Sequence, residues 1–390
     1  MSSPLPAPSE AALTHCRAVR DLLVATIREA GGFLDFARFM ELALYAPGLG
    51  YYTAGARKFG SAGDFVTAPE LSPLFAQALA TPIAEVMAQS APCILEAGAG
   101  SGRLAADLLL ALEARGQLPE HYLILDLSAD LRQRQRETLA AAVPHLLPRV
   151  TWLDRLPERF SGLVLGNELL DAMPVHLLQW QADDILEKGV GLEADGEDWR
   201  FVWRYRPASG ALRTAAAKLA TEMGLPAGFE SELNLAGPAW AAEWGERLDQ
   251  GAVLLLDYGF PRHEYYLPQR HGGTLMCHYR HHAHPDPLLF PGLQDITAHV
   301  DFTAVIATAF PRGLALLGYT SQGQFLLNCG ILDQLAQRPN PGLDYMKGAQ
   351  AVNKLVLPQE MGELFKVIAL GKGLEAPLTG FQRGDRSHAL

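Results

Sequence analysis

The sequence predicts an α/β protein built on a doubly wound parallel sheet. Short apolar runs alternate with amphipathic helical stretches along most of its 390 residues. A glycine-rich turn follows the first of these runs, and an aspartate ends the second, as in nucleotide-binding sheets. The candidate parallel strands are 93–95, 122–125, 150–153, 163–165 and 253–256.

Two helices are expected before the first strand. Ser9 can cap the first helix, whose apolar residues recur at helical spacing until Gly31, and the second extends over 36–44. A final strand at 365–370 has no helix after it. We expect it to pair antiparallel at the far side of the sheet.

The α/β alternation is interrupted between Val175 and Arg206. Three runs there, 175–180, 185–192 and 199–205, are typical of antiparallel strands, and helical stretches near 212–222 and 237–248 follow them. We expect this insertion to lie over the carboxyl ends of the parallel strands, where ligands bind in open α/β sheets.

Composition narrows the possible functions and locations. A net charge of −11 argues against binding to nucleic acid or acidic membranes, which needs clustered basic residues. No apolar run approaches the ~20 residues that span a bilayer, so membrane insertion is not expected. The four cysteines lack CxxC spacing, and the first residues lack a signal-peptide core. We therefore expect a cytoplasmic protein.

The segment 96–102, Glu-Ala-Gly-Ala-Gly-Ser-Gly, is typical of a nucleotide-cofactor loop. Its alternating glycines, Gly98, Gly100 and Gly102, let backbone N–H groups approach a ligand at the start of a helix. An acid before three such glycines favours S-adenosylmethionine, with Glu96 near its ammonium end. A dinucleotide, through the looser pattern 100–105, and a plain glycine-rich turn are the alternatives.

Two later strand ends supply further cofactor candidates. Asp126 ends the second strand and is placed to hold ribose hydroxyls, although a turn role is the alternative. It comes 28 residues after Gly98 (126 minus 98), which requires a long helix between them. After the third strand, Trp152 or Asp154 is expected to meet the adenine ring and its amino group. A core tryptophan and a surface turn are the alternatives.

A set of short blocks spans the chain from about Val19 to Leu370. They are Phe39-Met40 with Leu44-Tyr45, Gly50-Tyr51-Tyr52, Gly63 to Glu70, Glu96 to Gly102, Gly166 to His176, Asp257-Tyr258-Gly259 and Asp295 to Phe302. Together they resemble the signature blocks of the MidA-type methyltransferases, relatives of the mitochondrial complex I assembly-factor methyltransferase. Where that family has Glu-Val-Ser-Pro, this chain has Asp126-Leu127-Ser128-Ala129, so Asp126 and Leu127 are expected to contact the cofactor.

The resemblance implies a class I (Rossmann-like) methyltransferase fold. The donor would be S-adenosylmethionine, leaving S-adenosylhomocysteine as product, and the reaction would methylate an arginine of a respiratory-complex subunit. The implied regions are N-terminal helices with a cofactor-covering loop at 1–90, a methyltransferase core at 91–174 and 251–373, an inserted substrate-recognition region at 175–250 and a tail at 374–390.

Glu168 and Asp171 are the strongest catalytic candidates. A guanidinium presents a planar fork that carboxylates can hold at two points while they help to remove a proton. Their i, i+3 spacing places both on one face if the segment is helical, although capping of that helix is the alternative. Asn167 could contact the cofactor or orient the acceptor. His176 is a further catalytic candidate, with a structural hydrogen bond as its alternative.

The block from Gly63 to Glu70 is expected to fold over the cofactor as a lid. Asp64 and Thr67 would bond the polar groups of the cofactor. The structural alternative is that Thr67 caps a helix that Pro69 can start. The histidine-rich segment 278–284 has no closing ligand or metal-binding frame, so no metal is predicted. We expect it to be a loop on the substrate side.

The expected partner is a protein substrate, such as a respiratory-complex subunit, and a homodimer is compatible with the sequence. Three other functions stay open. The chain could be a catalytically silent assembly factor that binds S-adenosylmethionine, a small-molecule methyltransferase or an NAD-dependent oxidoreductase.

Overall fold

The structure of the protein, a computed structural model, describes residues 5–55, 67–196, 198–338 and 342–390. Those residues form thirteen α-helices and sixteen β-strands. The helices are α1 (Glu10–Glu29), α2 (Phe36–Tyr45), α3 (Ala68–Leu71), α4 (Pro73–Gln89), α5 (Arg103–Ala114), α6 (Ala129–Ala142), α7 (Gly210–Met223), α8 (Ala236–Arg247), α9 (Arg262–Tyr265), α10 (Phe302–Ala309), α11 (Gln322–Asn328), α12 (Ile331–Ala336) and α13 (Leu343–Val356). The strands are β1 (Leu34–Asp35), β2 (Cys93–Ala97), β3 (His121–Leu125), β4 (Val150–Leu153), β5 (Phe160–Asn167), β6 (His176–Trp180), β7 (Ile185–Asp195), β8 (Asp198–Pro207), β9 (Phe229–Leu233), β10 (Leu248–Phe260), β11 (Met276–Tyr279), β12 (His282–His284), β13 (Asp295–Thr297), β14 (Val300–Asp301), β15 (Ala315–Ser321) and β16 (Phe365–Lys372).

An eight-stranded sheet forms the centre of the fold, in the order β15-β16-β10-β5-β2-β3-β4, with β14 paired to the end of β10. Neighbours from β10 to β4 are parallel, and β16 and β15 add antiparallel strands beyond β10. The five strands predicted from the sequence form the parallel part, so the predicted fold class is confirmed. The strand predicted at 365–370 corresponds to β16 and is antiparallel as expected. It is not the edge strand, because β15 pairs with its other side.

Both faces of this sheet are covered by helices. In β10, Leu254 and Leu256 join the apolar cluster that includes α4 and α5, whereas Val253 and Leu255 join the cluster that includes α8 and α10. Alternate residues of a strand point to opposite faces, so a strand buried on both sides must be apolar throughout. This double burial explains why the inner strands are continuous apolar runs.

The insertion forms a second, antiparallel sheet of five strands. β6 pairs with β7 and with β9, and β8 pairs with β7, so the three predicted strand runs are present. The sequence did not predict β9 or the contribution of β1, which pairs Leu34 with Val190 of β7. The division of the chain into the four predicted regions stays a prediction.

The N-terminal helices pack against this second sheet. Ser9 caps α1 by accepting the N–H of Ala12 at 3.3 Å, as predicted, and Asp35 caps α2 by accepting the N–H of Arg38 at 2.9 Å. Their buried residues join one apolar cluster with Val190 and Phe201 of the antiparallel sheet. Within the described residues, no helix is both long enough and apolar enough to cross a membrane.

The histidine-rich segment is a hairpin rather than a loop. β11 pairs with β12 and with β13 in a three-stranded antiparallel sheet. Arg280 and His281 form its tip with φ of 47° and 63°, values that residues with side chains adopt only occasionally. The hairpin places His278 opposite Asp295 of β13.

Replacement of Gly251 tests the closest backbone approach in the central sheet. Gly251 has φ of 140°, and a Cβ there would lie 1.9 Å from the carbonyl oxygen of Gly162 on β5. Gly251→Ala should lower the free energy of unfolding by about 2–5 kcal/mol, the sum of backbone strain and overpacking. Gly116→Ala, at φ of 67° with open space around it, should show the strain alone, about 1–2 kcal/mol. Equal losses in urea denaturation would contradict this account.

Candidate functional site

A cavity of about 920 Å³ opens at the carboxyl ends of β2, β3 and β5, where open α/β sheets bind ligands. Most of the predicted site residues line it. They are Thr67, Pro69, Glu96, Gly98, Gly100, Asp126, Leu127, Asp154, Asn167, Glu168, Asp171 and His176. Gly102 and Trp152, although described, do not line it, and Asp64 lies outside the described residues.

The three glycines after β2 all have left-handed backbone, with φ of 68° at Gly98, 52° at Gly100 and 80° at Gly102. Glycine adopts this conformation without the steric cost that a Cβ adds. A Cβ on Gly98 would lie 3.1 Å from Cδ1 of Leu169, and one on Gly102 would lie 2.9 Å from Cα of Gln135. Gly98 and Gly100 therefore offer bare backbone to the cavity, whereas Gly102 lets α6 pack against the start of α5.

Glu96 lies near the end of β2 and is 2% exposed. Tyr122 of β3 donates its hydroxyl to Oε2 of Glu96 at 2.6 Å. Burial is the main cause that raises the pKa of Glu96 to about 7; the bond from Tyr122 opposes the rise, and the charge of Asp126 contributes to it. A cationic group in the cavity would favour the ionised form.

Asp126 is held by a chain of hydrogen bonds that the sequence did not reveal. Its Oδ1 accepts the N–H of Ser128 at 2.9 Å, and its Oδ2 accepts Nε2 of Gln135 at 2.8 Å. The same Nε2 also donates to the carbonyl oxygen of Gly100 at 3.1 Å. Oε1 of Gln135 accepts a hydrogen bond from Nε1 of Trp152 at 3.0 Å. Trp152 is therefore linked to the site through Gln135, and the structure does not place it against the cavity as predicted.

The remaining predicted cofactor residues differ in their surroundings. Leu127 lines the cavity and is 79% exposed. Asp154 accepts a hydrogen bond from Nη1 of Arg132 at 2.6 Å, and its side chain is mostly exposed. Thr67 stands at the N-cap of α3 but makes no side-chain capping bond, and Pro69 lies in the first turn. The capping alternative for Thr67 is therefore not supported.

Glu168 has an unusual backbone and a buried carboxylate. Its φ is 52°, and its N–H bonds the carbonyl oxygen of Leu256 at 2.8 Å. Asn167 donates to its Oε1 at 3.1 Å and Tyr258 to its Oε2 at 3.4 Å. Burial raises the pKa of Glu168 to about 8, with help from the charge of Asp257, while bonds from Asn167, the backbone of Ala68 and Tyr258 oppose it.

Asp257 organises the turn that follows β5. Its Oδ2 accepts three successive N–H groups, those of Leu169 at 3.1 Å, Leu170 at 2.7 Å and Asp171 at 3.3 Å. Burial raises the pKa of Asp257 to about 7, and these bonds oppose the rise. Burial also raises the pKa of Asp171 well above its usual range, and the charges of Asp257, Glu168 and Asp295 add to it. The segment after Glu168 is thus a turn, and neither candidate carboxylate caps a helix.

His176 lines the cavity but is tied to the antiparallel sheet. Its Nδ1 lies 3.0 Å from Oε1 of Glu187, whose Oε2 accepts two bonds from Arg206 at 2.7 and 2.9 Å. Asp35 completes a group of three possible metal ligands within 4.8 Å of one another. Arg206 already supplies positive charge to Glu187, so this arrangement satisfies the acid without an ion. The hydrogen bond agrees with the structural alternative for His176.

Three further cavity residues had no assigned role in the sequence analysis. Tyr45 and Tyr52 stack with ring centroids 5.5 Å apart, and the hydroxyl of Tyr52 donates to Oδ1 of Asp295 at 2.8 Å. The hydroxyl of Tyr45 donates to the carbonyl oxygen of Ala172 at 3.0 Å. All three stand in the blocks that carried the family resemblance, which was the one available signal for them.

Comparison with known proteins identifies the family. Residues 75–320 match the model of a family of S-adenosyl-L-methionine-dependent methyltransferases. The chain belongs to this family. The methyltransferase is also 50% identical to a Burkholderia thailandensis protein crystallised with S-adenosyl-homocysteine, with a TM-score of 0.95 over 99% of this chain and 100% of that one. The predicted class I fold and S-adenosylmethionine as cofactor are confirmed.

Curated relatives are similar over most of the methyltransferase. Protein arginine methyltransferase NDUFAF7, mitochondrial, from Danio rerio is 30% identical over 87% of this chain and 84% of its own length. The human protein of the same name is 29% identical over 87% and 80%, and the Caenorhabditis elegans homolog is 26% identical over 90% and 86%. All three are named mitochondrial, so the predicted cytoplasmic location is wrong.

The cavity fits this cofactor on its own evidence. Gly98 and Gly100 line the cavity with bare left-handed backbone, Glu96 offers a carboxylate to an ammonium group, and Asp126 offers acceptors to ribose hydroxyls. The roles of the individual cofactor residues stay predictions.

Gln135 should support cofactor binding without contacting the cavity. Gln135→Met keeps the length of the side chain but removes its bonds to Asp126, Gly100 and Trp152. Loss of one or two such bonds should raise the Kd of S-adenosylmethionine by on the order of tenfold in calorimetry. Gln133→Met, exposed on the same helix, should leave the Kd unchanged. Equal Kd values for both variants would show that Asp126 needs no support from Gln135.

Glu168 should make the cofactor-free protein less stable as pH rises. Its pKa is about 8 in the folded protein and 4.5 as the ordinary value, so the folded state binds more protons between these limits. The contribution of Glu168 to the free energy of unfolding is fully present below about pH 4.5 and is lost as pH rises through about 8. The slope of this loss is up to ~1.4 kcal/mol per pH unit.

Glu168→Gln should flatten this part of the stability profile when urea denaturation is measured from pH 5 to pH 8. Glu137→Gln, an exposed substitution on α6, should keep the native slope. A slope that Glu168→Gln leaves unaltered would assign the pH dependence to other groups, such as Asp257.

Proposed function

We propose that this methyltransferase methylates an arginine guanidinium of a protein substrate. The curated relatives named above are protein arginine methyltransferases, which supports this choice of acceptor. The charge of the cavity supports it independently.

The cavity wall is strongly acidic, and this observation is the main support for a cationic acceptor. Among the described residues, eight carboxylates line it against one arginine, Arg155. The acids are Glu41, Glu70, Glu96, Asp126, Asp154, Glu168, Asp171 and Asp295. A concave surface of one sign concentrates ligands of the opposite sign. A guanidinium qualifies because it stays protonated at every physiological pH.

Two buried oxygen atoms support a ligand with several N–H donors. Oδ1 of Asp171 and Oδ1 of Asn167 have no hydrogen-bond partner among the described residues, although both residues line the cavity. Asp171 is only 4% exposed. A buried acceptor without a partner costs about 1–3 kcal/mol, which a guanidinium N–H would recover on binding.

The proposed chemistry needs alignment and one proton acceptor. When bound, S-adenosylmethionine supplies an activated methyl group on a positively charged sulfur. Asp171 and Asn167 hold the guanidinium so that one nitrogen faces this methyl group. That nitrogen gains a bond to carbon and loses a proton, because the methylated guanidinium keeps a single positive charge. Cations bound in the cavity favour the ionised form of Glu168, which then accepts the proton, and a pKa of about 8 in the cofactor-free protein suits a base near neutral pH.

The resemblance to the complex I assembly-factor methyltransferases supports the choice of acceptor protein. We propose a respiratory-complex subunit of the complex I type, bound against the inserted region 175–250. His176, Leu235 and Trp240 of that region line the cavity, so an acceptor segment on the insertion would reach the methyl group. A homodimer remains part of the proposal, with no role for the second copy in the site.

Methyl labelling tests the reaction. Radiolabelled S-adenosylmethionine is added to a lysate of cells that lack this gene, together with native protein, Glu168→Gln or the exposed control Glu137→Gln. Native protein and the control should label one discrete band whose hydrolysate contains methylarginine. Loss of the general base should lower the labelling rate by about 10²–10⁴-fold.

Other outcomes would assign other functions. Binding of S-adenosylmethionine without any label would favour a catalytically silent assembly factor. Label in small molecules alone would favour a small-molecule methyltransferase. A labelled protein whose hydrolysate lacks methylarginine would refute the arginine assignment.

A further inference from the structure

We infer that Asp295 and Tyr52 form, with Asp171, the subsite that binds the cationic head group of the acceptor. This assignment rests on the proposed arginine methylation and adds two residues to it. Neither residue follows a strand of the central sheet: Tyr52 follows α2, and Asp295 begins β13. Both line the cavity that holds the cofactor residues.

Backbone and side-chain bonds place this subsite beside the catalytic turn. The N–H of Ala298, just after β13, donates to the carbonyl oxygen of Asp171 at 3.0 Å. The hydroxyl of Tyr45 donates to the carbonyl oxygen of Ala172 at 3.0 Å. The strand that begins at Asp295 and the aromatic pair of Tyr45 and Tyr52 are therefore both attached to the turn that carries Asp171.

Asp295 is fixed by bonds to one of its oxygen atoms. Oδ1 accepts the hydroxyl of Tyr52 at 2.8 Å and the N–H of Ile296 at 3.0 Å, and the residue is 3% exposed. These bonds hold the carboxylate in one orientation at the cavity wall. A carboxylate that is already ordered loses little conformational entropy when it binds a cation.

The local charge favours a cationic ligand. The charge of Asp295 is one of the causes that raise the pKa of Asp171, and every other charge among those causes is also acidic. Oδ1 of Asp171, in a residue 4% exposed, has no hydrogen-bond partner among the described residues. This buried and unsatisfied acceptor, next to a second ordered carboxylate, indicates a ligand with N–H donors and positive charge.

A guanidinium suits two separate carboxylates better than an ammonium does. Its planar group has five N–H donors along more than one edge, so one edge can face Asp171 while another faces Asp295. The stacked rings of Tyr45 and Tyr52 provide an aromatic wall, against which a planar cation can also pack. The cofactor's own ammonium group is assigned to Glu96, at the end of a different strand.

Binding of small probes tests this subsite without knowledge of the acceptor protein. The methyltransferase is loaded with S-adenosylhomocysteine and titrated with N-acetyl-arginine methylamide, and with the uncharged citrulline analogue as a control. Native protein should bind the arginine probe at least tenfold more tightly than the citrulline probe. Asp295→Asn should weaken the arginine probe about tenfold, and Tyr52→Phe by a smaller factor, because the carboxylate remains.

Matched measurements separate the subsite from the fold and from the cofactor. Asp286→Asn, an exposed acid shortly before Asp295, should bind both ligands like native protein. Asp295→Asn and Tyr52→Phe should bind S-adenosylhomocysteine within twofold of native. Equal loss of S-adenosylhomocysteine affinity would overturn the inference, because Asp295 would then belong to the cofactor site. Native affinity of Asp295→Asn for the arginine probe would overturn it as well.

Failure of the proposed function can be recognised separately. Methylarginine labelled by native protein, together with unchanged probe affinity in Asp295→Asn, would leave arginine methylation standing and remove Asp295 from acceptor binding. A native protein that prefers neither probe overturns the subsite whatever the labelling shows. Absence of methylarginine after labelling with native protein would overturn the proposed reaction. If native protein nevertheless prefers the arginine probe and Asp295→Asn does not, the cation-binding subsite would still be supported.

Discussion

The site depends on one buried carboxylate that ties the turn after β5 to the end of β10. Asp257 accepts the N–H groups of Leu169, Leu170 and Asp171, which would otherwise lack partners in a buried turn. The charge that makes these bonds also raises the pKa of Glu168 and Asp171. Asp257 does not line the cavity. It therefore positions the turn that carries the candidate catalytic residues, and raises the pKa of their carboxyl groups, without contact with the cavity.

The central sheet makes an unfavourable site possible. Glu168 combines a left-handed φ of 52° with a buried carboxylate, and each feature opposes folding. Such residues persist where the surrounding structure leaves the backbone no alternative. Here β5 lies between β2 and β10 with helices on both faces, and the N–H of Glu168 continues the bonding toward Leu256. The doubly covered central sheet therefore holds a residue with strained backbone in place.

The sequence predicted what depends on local pattern and missed what depends on distant contacts. Apolar runs predicted the parallel strands, and the glycine loop, the strand ends and the family resemblance predicted several residues of the cavity wall. β1 could not be predicted, because two residues become a strand only when β7 lies beside them. Trp152 was placed against the cofactor, but the distant Gln135 takes its indole N–H. Asp257 and Asp295 stand in the blocks of the family resemblance, but only the folded chain shows that they lie at the turn after β5.

The raised pKa of Glu168 has a consequence for charge balance in the proposed reaction. Methyl transfer removes a positive charge from sulfur, and the acceptor releases a proton when its nitrogen is methylated. If Glu168 takes that proton, the total charge within the cavity stays constant through the step. A carboxylate with an ordinary pKa near 4.5 would hold the proton poorly, whereas one near 8 retains it at neutral pH. Burial thus serves the chemistry directly, because the proton can stay in the cavity until the site opens to water.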